Sequence, residues 1–180
     1  YLDLLKLERT YLYSFQGAYQ HNYISKIRES IFNIKKRDDI YIKNIGGWHF
    51  NNIVYNSKQN LDKDINISDN YNEQLNSYND VLLNSRFSLC PSGSGPNSIR
   101  FWESLAIGSI PILLSDRLEL PKNDLWVDSI LFLEEKDIKN LDLILSGIPI
   151  EREIIMRKNC IDLYNFYKSN YKNKKKIIEG

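Results

Sequence analysis

The sequence predicts an α/β fold in which a Rossmann-like parallel sheet is flanked by helices. Short apolar runs, each suited to a strand buried on both faces, alternate with longer stretches of helical period. Residues 86–121 also arrange a strand, a loop, a helix and a second strand in the order of a parallel βαβ unit. We expect one domain over residues 1–180, because this length suffices for one sizeable core but is short for two.

The central βαβ unit begins with the apolar run 87–90, which predicts a buried strand. The loop 92–95 follows, and its small residues would let a ligand approach the backbone closely. We expect a helix that starts at Pro96, where a missing N–H costs nothing, and ends before Gly108 in a left-handed cap. The run 110–114 then predicts the next strand.

The remaining elements follow from apolar period and from capping residues. We expect strands at 11–15, 39–43 and 130–133, helices at 25–33, 71–85, 137–145 and 151–171, and a polar surface loop at 51–70. In the last helix, the residues expected on the buried face are Ile154, Ile155, Cys160, Leu163 and Tyr167.

The loop and the first turn of the central helix together predict a phosphate site, because backbone donors and the positive end of the helix dipole converge there. Arg100 can pair with phosphate oxygens through its planar guanidinium. Glu103 shares its helix face, and a carboxylate beside a phosphate suits a ribose, whose neighbouring hydroxyls can both donate to it. The residues predicted to hold a nucleotide diphosphate are Ser92, Gly93, Ser94, Gly95, Asn97, Ser98, Arg100 and Glu103.

Simpler explanations stay open at this point. An Arg and a Glu three residues apart are often only a solvated ion pair, and a Ser/Gly loop is often only a turn. The loop matches neither of the glycine-rich patterns GxGxxG and GxxxxGK[ST]. Four further residues are candidates at strand ends or on a neighbouring helix, each with a structural alternative such as a cap or a solvated face: Ser14, Gly17, Arg28 and Asp116.

Composition excludes some classes of function. The net charge of +1 argues against a nucleic-acid partner. The two cysteines give neither a disulfide framework nor the spacing of a metal site. The longest nearly apolar run, 105–114, is too short to span a bilayer. The basic stretch 172–176 indicates a solvated end or, less often, peripheral contact with anionic lipid.

Four motifs, in order over residues 87–121, resemble the core of the exostosin family of glycosyltransferases. They are FSLCPSG at 87–93, RFWESL at 100–105, GSIPILLSD at 108–116 and LP at 120–121. A weaker similarity covers LYSFQGA at 12–18 and SKIR at 25–28. The chain departs from the family at two positions, Ser109 and Ser92. Because an arginine is common at the position of Ser92, one phosphate contact of the family would be missing.

The resemblance implies the C-terminal, nucleotide-sugar-binding half of a GT-B enzyme of polysaccharide biosynthesis. Such an enzyme would transfer a sugar from a UDP-sugar to a saccharide acceptor with inversion, and it would require no metal or other cofactor. Arg100 would assist the leaving group. The catalytic base would come from an N-terminal domain, in the full chain or in a partner chain, and the chain is expected to be a fragment of such a two-domain protein because it begins at a tyrosine.

The resemblance also implies a location in the cytoplasm, at the membrane periphery or free of it, or in the Golgi lumen for a eukaryotic chain. Two alternative functions stay open. One is a non-catalytic nucleotide-binding or interaction module, and the other is a retaining GT-B transferase. The stereochemistry of the product separates the two transferases, and a failure to bind any nucleotide would favour an interaction role.

Overall fold

The computed structural model describes residues 2–46 and 77–179, and side chains within residues 4–46 and 77–171. Within these residues, five parallel strands form one sheet in the order β2-β1-β3-β4-β5. The strands are β1 (Tyr11–Gly17), β2 (Ile40–Asn44), β3 (Ser85–Pro91), β4 (Ile110–Leu114) and β5 (Leu131–Phe132). The helices are α1 (Leu2–Lys6), α2 (Ile27–Phe32), α3 (77–83), α4 (Ile99–Ile107), α5 (Leu141–Ser146) and α6 (Ile150–Glu179), with 3₁₀ helices at Asp124–Trp126 and Glu135–Asn140. The predicted α/β, Rossmann-like fold is confirmed.

Strands β3 and β4 form the centre of the core. Nearly every residue of the two strands is buried, so both faces of the sheet are covered here, as is typical of parallel strands flanked by helices. From the helices, Phe101 and Leu105 of α4 and Leu163 of α6 pack against this core and are fully buried. The two cysteines, Cys90 and Cys160, are buried and free, as expected.

The boundaries of α4 differ in part from the prediction. The helix begins at Ile99, not at Pro96, because the carbonyl of Pro96 accepts a hydrogen bond from the Ser115 hydroxyl at 2.9 Å, which keeps this residue in the loop. Ser98 is the N-cap, with extended backbone angles of φ −128° and ψ 133°. The other end is as predicted, since Gly108 adopts a left-handed φ of 67°.

The prediction was wrong for two residues of α6. Ile154 and Ile155 are 48% and 56% exposed, whereas Glu153 is fully buried on the face that we assigned to apolar side chains. Glu153 accepts hydrogen bonds from Arg86 at 2.9 Å and from Arg157, so an ion-pair network rather than an apolar stripe orients the first turns of the helix. Further along, Cys160 and Leu163 are fully buried as expected, and Tyr167 packs partly buried against the core.

The boundaries of three further helices differ from those predicted from the sequence. Helix α2 begins at Ile27 with Lys26 as N-cap, although the Ser25 hydroxyl does accept from the Ile27 N–H at 3.2 Å. The helix expected at 137–145 divides into the 3₁₀ helix Glu135–Asn140 and α5. Helix α3 ends at residue 83, because Ser85 already belongs to β3.

Some predictions fall outside the described residues or side chains, namely the loop 51–70, the start of the helix at 71–76 and the basic side chains of 172–176. Across the described helices, we find none that is both long enough and apolar enough to cross a membrane.

Candidate functional site

The strand order reverses between β1 and β3, because β2 lies on one side of β1 while β3 to β5 lie on the other. In open parallel sheets, ligands bind beyond the carboxyl ends of the strands at such a switch point. Here Gly17 ends β1 and Ala18 follows it, and Ser92 and Gly93 follow β3. We call the space between these four residues the strand-end crevice. It contains Gly17, Ser92 and Gly93, three residues that the sequence analysis proposed as ligand contacts.

Arg28 of α2 joins the two sides of the strand-end crevice. Its Nη1 donates to the Ala18 carbonyl at 2.9 Å, and its Nε donates to the Ser92 carbonyl at 2.8 Å. A Cβ atom at Gly93 would lie only 2.8 Å from Nη2 of Arg28, so any larger residue here would have to displace the guanidinium. Burial lowers the pKa of the Arg28 guanidinium, and the charge of Arg100 lowers it further. Arg28 is therefore a desolvated cation held at the switch point.

Arg100 contacts the same aromatic ring as Arg28. Both guanidinium groups contact the ring of Phe15, at 4.7 Å from its centroid for Arg100 and 5.5 Å for Arg28. Arg100 also donates a hydrogen bond to the carbonyl of Gln16. None of the ion pairs between described residues includes either arginine. The two cations repel each other, since the charge of Arg100 lowers the pKa of Arg28, and an anion bound near both would relieve that repulsion.

The loop 92–98 and the start of α4 add hydrogen-bond donors to this positive region. Ser94 and Asn97 are exposed, and Ser98 makes no side-chain hydrogen bond to cap the helix. The first N–H groups of a helix have no partner within it, and together with the helix dipole they favour a bound phosphate. Ser92 differs, since its hydroxyl donates to Glu135 at 3.0 Å and also lies 3.1 Å from the Ser25 hydroxyl. The predicted loop residues are thus together, but the Ser92 hydroxyl is engaged within the protein.

Glu103 lies on the exposed surface of α4 and does not pair with Arg100. Instead, its Oε2 accepts a hydrogen bond of 2.6 Å from the hydroxyl of Tyr78 on α3. The guanidinium carbon of Arg100 lies 5.6 Å from the ring centroid of Tyr78. The simple alternative of a solvated pair between Arg100 and Glu103 is therefore wrong. A hollow of about 460 Å³ borders Glu103 between α3, α4 and Tyr164 of α6.

The two remaining candidates from the sequence, Ser14 and Asp116, have partners other than the arginines. Ser14 is 2% exposed and its hydroxyl lies 2.7 Å from the Ser85 hydroxyl inside the sheet, so its side chain is engaged there and not in the strand-end crevice. Asp116 accepts from the backbone N–H of Glu135 at 3.0 Å, and thus caps a turn nineteen residues further on. This contact matches the capping alternative in kind, although not in the segment that is capped.

Two residues that contact the site had no role in the sequence analysis, Tyr78 and Glu135. Glu135 follows a short apolar run at the carboxyl end of a strand, and this position could have pointed to it. Tyr78 has no comparable signal, because only the packing of α3 against α4 brings it to Glu103. Within residues 2–46 and 77–179, no three His, Cys, Asp or Glu side chains cluster closely enough to hold a metal ion.

Comparisons with known proteins identify the family of this chain. The family model described as the Exostosin GT47 domain matches residues 3–148. The probable beta-1,4-xylosyltransferase IRX10L of Arabidopsis thaliana is 38% identical over 98 residues, which cover 53% of this chain and 23% of that relative. The probable glucuronosyltransferase GUT1 of Oryza sativa subsp. japonica is 36% identical over 86 residues, or 47% of this chain and 20% of that relative. The chain thus spans less than a quarter of the length of these relatives.

Proposed function

We propose that this chain, which belongs to the exostosin GT47 family, binds a nucleotide-diphosphate sugar. This compound would be the donor in the transfer of a sugar to a saccharide acceptor. The observation that carries this proposal is the convergence of Arg28 and Arg100 at the switch point without an acidic partner among the described residues. Relatives named as xylosyltransferases and glucuronosyltransferases support it.

The diphosphate would lie between the two arginines and the first turn of α4. There the side chains of Ser94, Asn97 and Ser98 would donate to the phosphates. The backbone N–H groups of Ser92 and Gly93 would not, because they already donate to the carbonyls of Leu114 at 3.1 Å and Gly95 at 2.9 Å. Glu103, one turn along the helix, would accept the ribose hydroxyls. We expect the donor to be a UDP-sugar, as the family resemblance implies.

In the reaction, an acceptor oxygen would attack the anomeric carbon while the nucleoside diphosphate leaves with the bonding electron pair. Negative charge then grows on the phosphate that leaves, and fixed positive groups stabilise that charge more than they stabilise the bound donor. The described residues that supply such groups are the guanidinium groups of Arg28 and Arg100 and the amino-terminal end of α4. This arrangement requires no metal to neutralise the leaving group.

The acceptor site and the general base are assigned to an N-terminal domain, in the full chain or in a partner chain. A general base must lie within hydrogen-bond reach of the acceptor hydroxyl, and in a two-domain transferase the acceptor faces the donor across the cleft. In this proposal, inversion at the anomeric carbon follows from direct attack by the acceptor on the side opposite the nucleotide.

Calorimetric titration with UDP, GDP and CMP tests the proposal. We expect saturable binding of one nucleotide, weakened about tenfold or more by Arg100→Ala, since a hydrogen bond between charged groups contributes about 1.5–3 kcal/mol. Arg152→Ala, which removes an exposed arginine of α6 remote from the strand-end crevice, is the matched control and should bind as the unsubstituted chain does. A folded sample that binds none of the three nucleotides would contradict the proposal and favour an interaction module.

A further inference from the structure

We propose that Tyr78 is a positioning residue that holds the Glu103 carboxylate ready for both ribose hydroxyls, and thereby sets the preference of the site for ribose over deoxyribose. The inference rests on the proposed function, because it takes Glu103 as the ribose-binding residue. Nothing in the sequence pattern marks Tyr78, which reaches Glu103 across 25 residues of chain.

The contact between Tyr78 and Glu103 is short and directional. The hydroxyl donates to Oε2 at 2.6 Å, within the range of hydrogen bonds strengthened by an ionised acceptor. Burial raises the pKa of Tyr78 well above its ordinary value, and the neighbouring Glu103 carboxylate raises it as well. The hydroxyl therefore stays protonated and continues to donate throughout the neutral pH range.

Without Tyr78, the Glu103 side chain would have other options. It is exposed on a helix, where a glutamate samples several rotamers, and Arg100 lies three residues before it on the same face. The Tyr78 ring also lies against the Arg100 guanidinium, 5.6 Å from its centroid. Tyr78 thus contacts the Glu103 carboxylate through its hydroxyl and the Arg100 guanidinium through its ring, and it keeps the two charged groups apart.

The carboxylate keeps enough acceptor capacity for a ribose. An ionised carboxylate offers about four lone-pair positions on two oxygens, and the Tyr78 hydroxyl uses one of them. Oε1 and the remaining position on Oε2 can then accept two neighbouring hydroxyls. Because the carboxylate is already held in one orientation, binding a ribose costs less side-chain entropy.

Tyr78 is itself fixed by the fold. Leu82 lies one turn further along α3 on the same face and is 4% exposed within the core. At the end of this helix, the Ser85 hydroxyl donates to the carbonyl of Val81 at 2.6 Å and links the helix to β3. The position of the Tyr78 ring is therefore tied to the central sheet that carries the strand-end crevice.

Tyr78→Phe tests the inference, because it removes the hydroxyl and keeps the ring against Arg100. Calorimetry on the 180-residue chain would compare UDP and GDP with their 2′,3′-dideoxy analogues. We expect the variant to bind the ribonucleotide about fivefold more weakly, the size of one ordinary hydrogen bond, and to bind the dideoxy analogue unchanged. In the Glu103→Gln background, the same substitution should alter this ribose preference little, since the partner of the hydroxyl is already changed.

Tyr164→Phe is the matched control, since Tyr164 lines the same hollow on α6 but forms no hydrogen bond with Glu103 among the described contacts. A ribose preference that Tyr78→Phe leaves unchanged would overturn the inference. An equal loss of affinity for both classes of nucleotide would also overturn it, because that result indicates only a general structural role. If the unsubstituted chain binds no nucleotide, the proposed function fails, and the inference fails with it.

Discussion

Arg28 and Gly93 contact each other so closely that a single methyl group on Gly93 would lie 2.8 Å from the arginine Nη2. The guanidinium cannot simply move aside, because its Nε and Nη1 are already bonded to carbonyls on the two sides of the strand-end crevice. The glycine after β3 thus permits the arginine from α2 to bridge the switch point.

We expect Gly93→Ala to lower the free energy of unfolding by about 1–3 kcal/mol, the range for overpacking a close contact. It should also weaken nucleotide binding, since displacing Arg28 moves one of the two cations. Urea unfolding and calorimetry would measure the two effects. For the unfolding measurement, Gly95→Ala is the matched control in the same loop, because a Cβ there meets nothing within 4 Å and the backbone is not left-handed. Equal tolerance of the two alanines would show that the contact between Arg28 and Gly93 is not restrictive.

A second prediction concerns the shape of the Arg28 side chain as distinct from its charge. Arg28→Lys keeps the cation but cannot donate in the plane of a guanidinium to Ala18 and Ser92 together. We expect the free energy of unfolding to fall by about 1–2 kcal/mol, which corresponds to the loss of about one or two hydrogen bonds. We also expect nucleotide binding to weaken about tenfold. Arg152→Lys on exposed α6 controls for the substitution itself. If Arg28→Lys bound nucleotide normally, charge alone would suffice at this position.

A third prediction concerns the buried carboxylate of Glu153. Its pairing with Arg86 and Arg157 joins the amino-terminal end of β3, opposite the strand-end crevice, to the first turns of α6. Glu153→Gln leaves two guanidinium groups without their anion, and we expect a loss of about 3–5 kcal/mol. Glu151→Gln, two residues earlier and exposed, should cost little. Denaturant unfolding of both variants would measure the difference, and similar values for the two would contradict this role.

The same carboxylate predicts a dependence of stability on pH. Burial raises the pKa of Glu153, but the hydrogen bonds and charges of Arg86 and Arg157 outweigh burial and hold it below its ordinary value. The folded chain therefore binds this proton less readily than the unfolded chain does. The contribution is complete above the ordinary pKa of a glutamate, about 4.3, and is lost as pH falls through the lower folded value. Glu153→Gln should remove this part of the acid sensitivity in unfolding measured from neutral to acidic pH.

The sequence predicts well those features that neighbouring residues determine. The apolar runs of β3 and β4 and the glycine cap at Gly108 depend on local chemistry, and all three are found. Ile154 and Ile155 were misplaced because apolar periodicity does not detect a face that a buried ion pair occupies.

For the site, sequence and resemblance indicated the loop, Arg100 and Glu103, but not how these side chains are held. The bond from Tyr78 to Glu103 joins two helices, and the bond from Arg28 to the Ser92 carbonyl spans 64 residues. Contacts of this kind exist only once the chain has packed, and no local pattern encodes them.

The pairing of β1 with β3 has a consequence for how the chain folds. Ser85 and Ser14, bonded across this pair, lie 71 residues apart in the chain, and such distant pairings carry a large loop-closure entropy and tend to form late. The two sides of the strand-end crevice belong to these two strands, so a partly folded chain without the pairing has no complete nucleotide site. A nucleotide should therefore slow unfolding while leaving the folding rate nearly unchanged, a difference that stopped-flow rates with and without ligand would reveal.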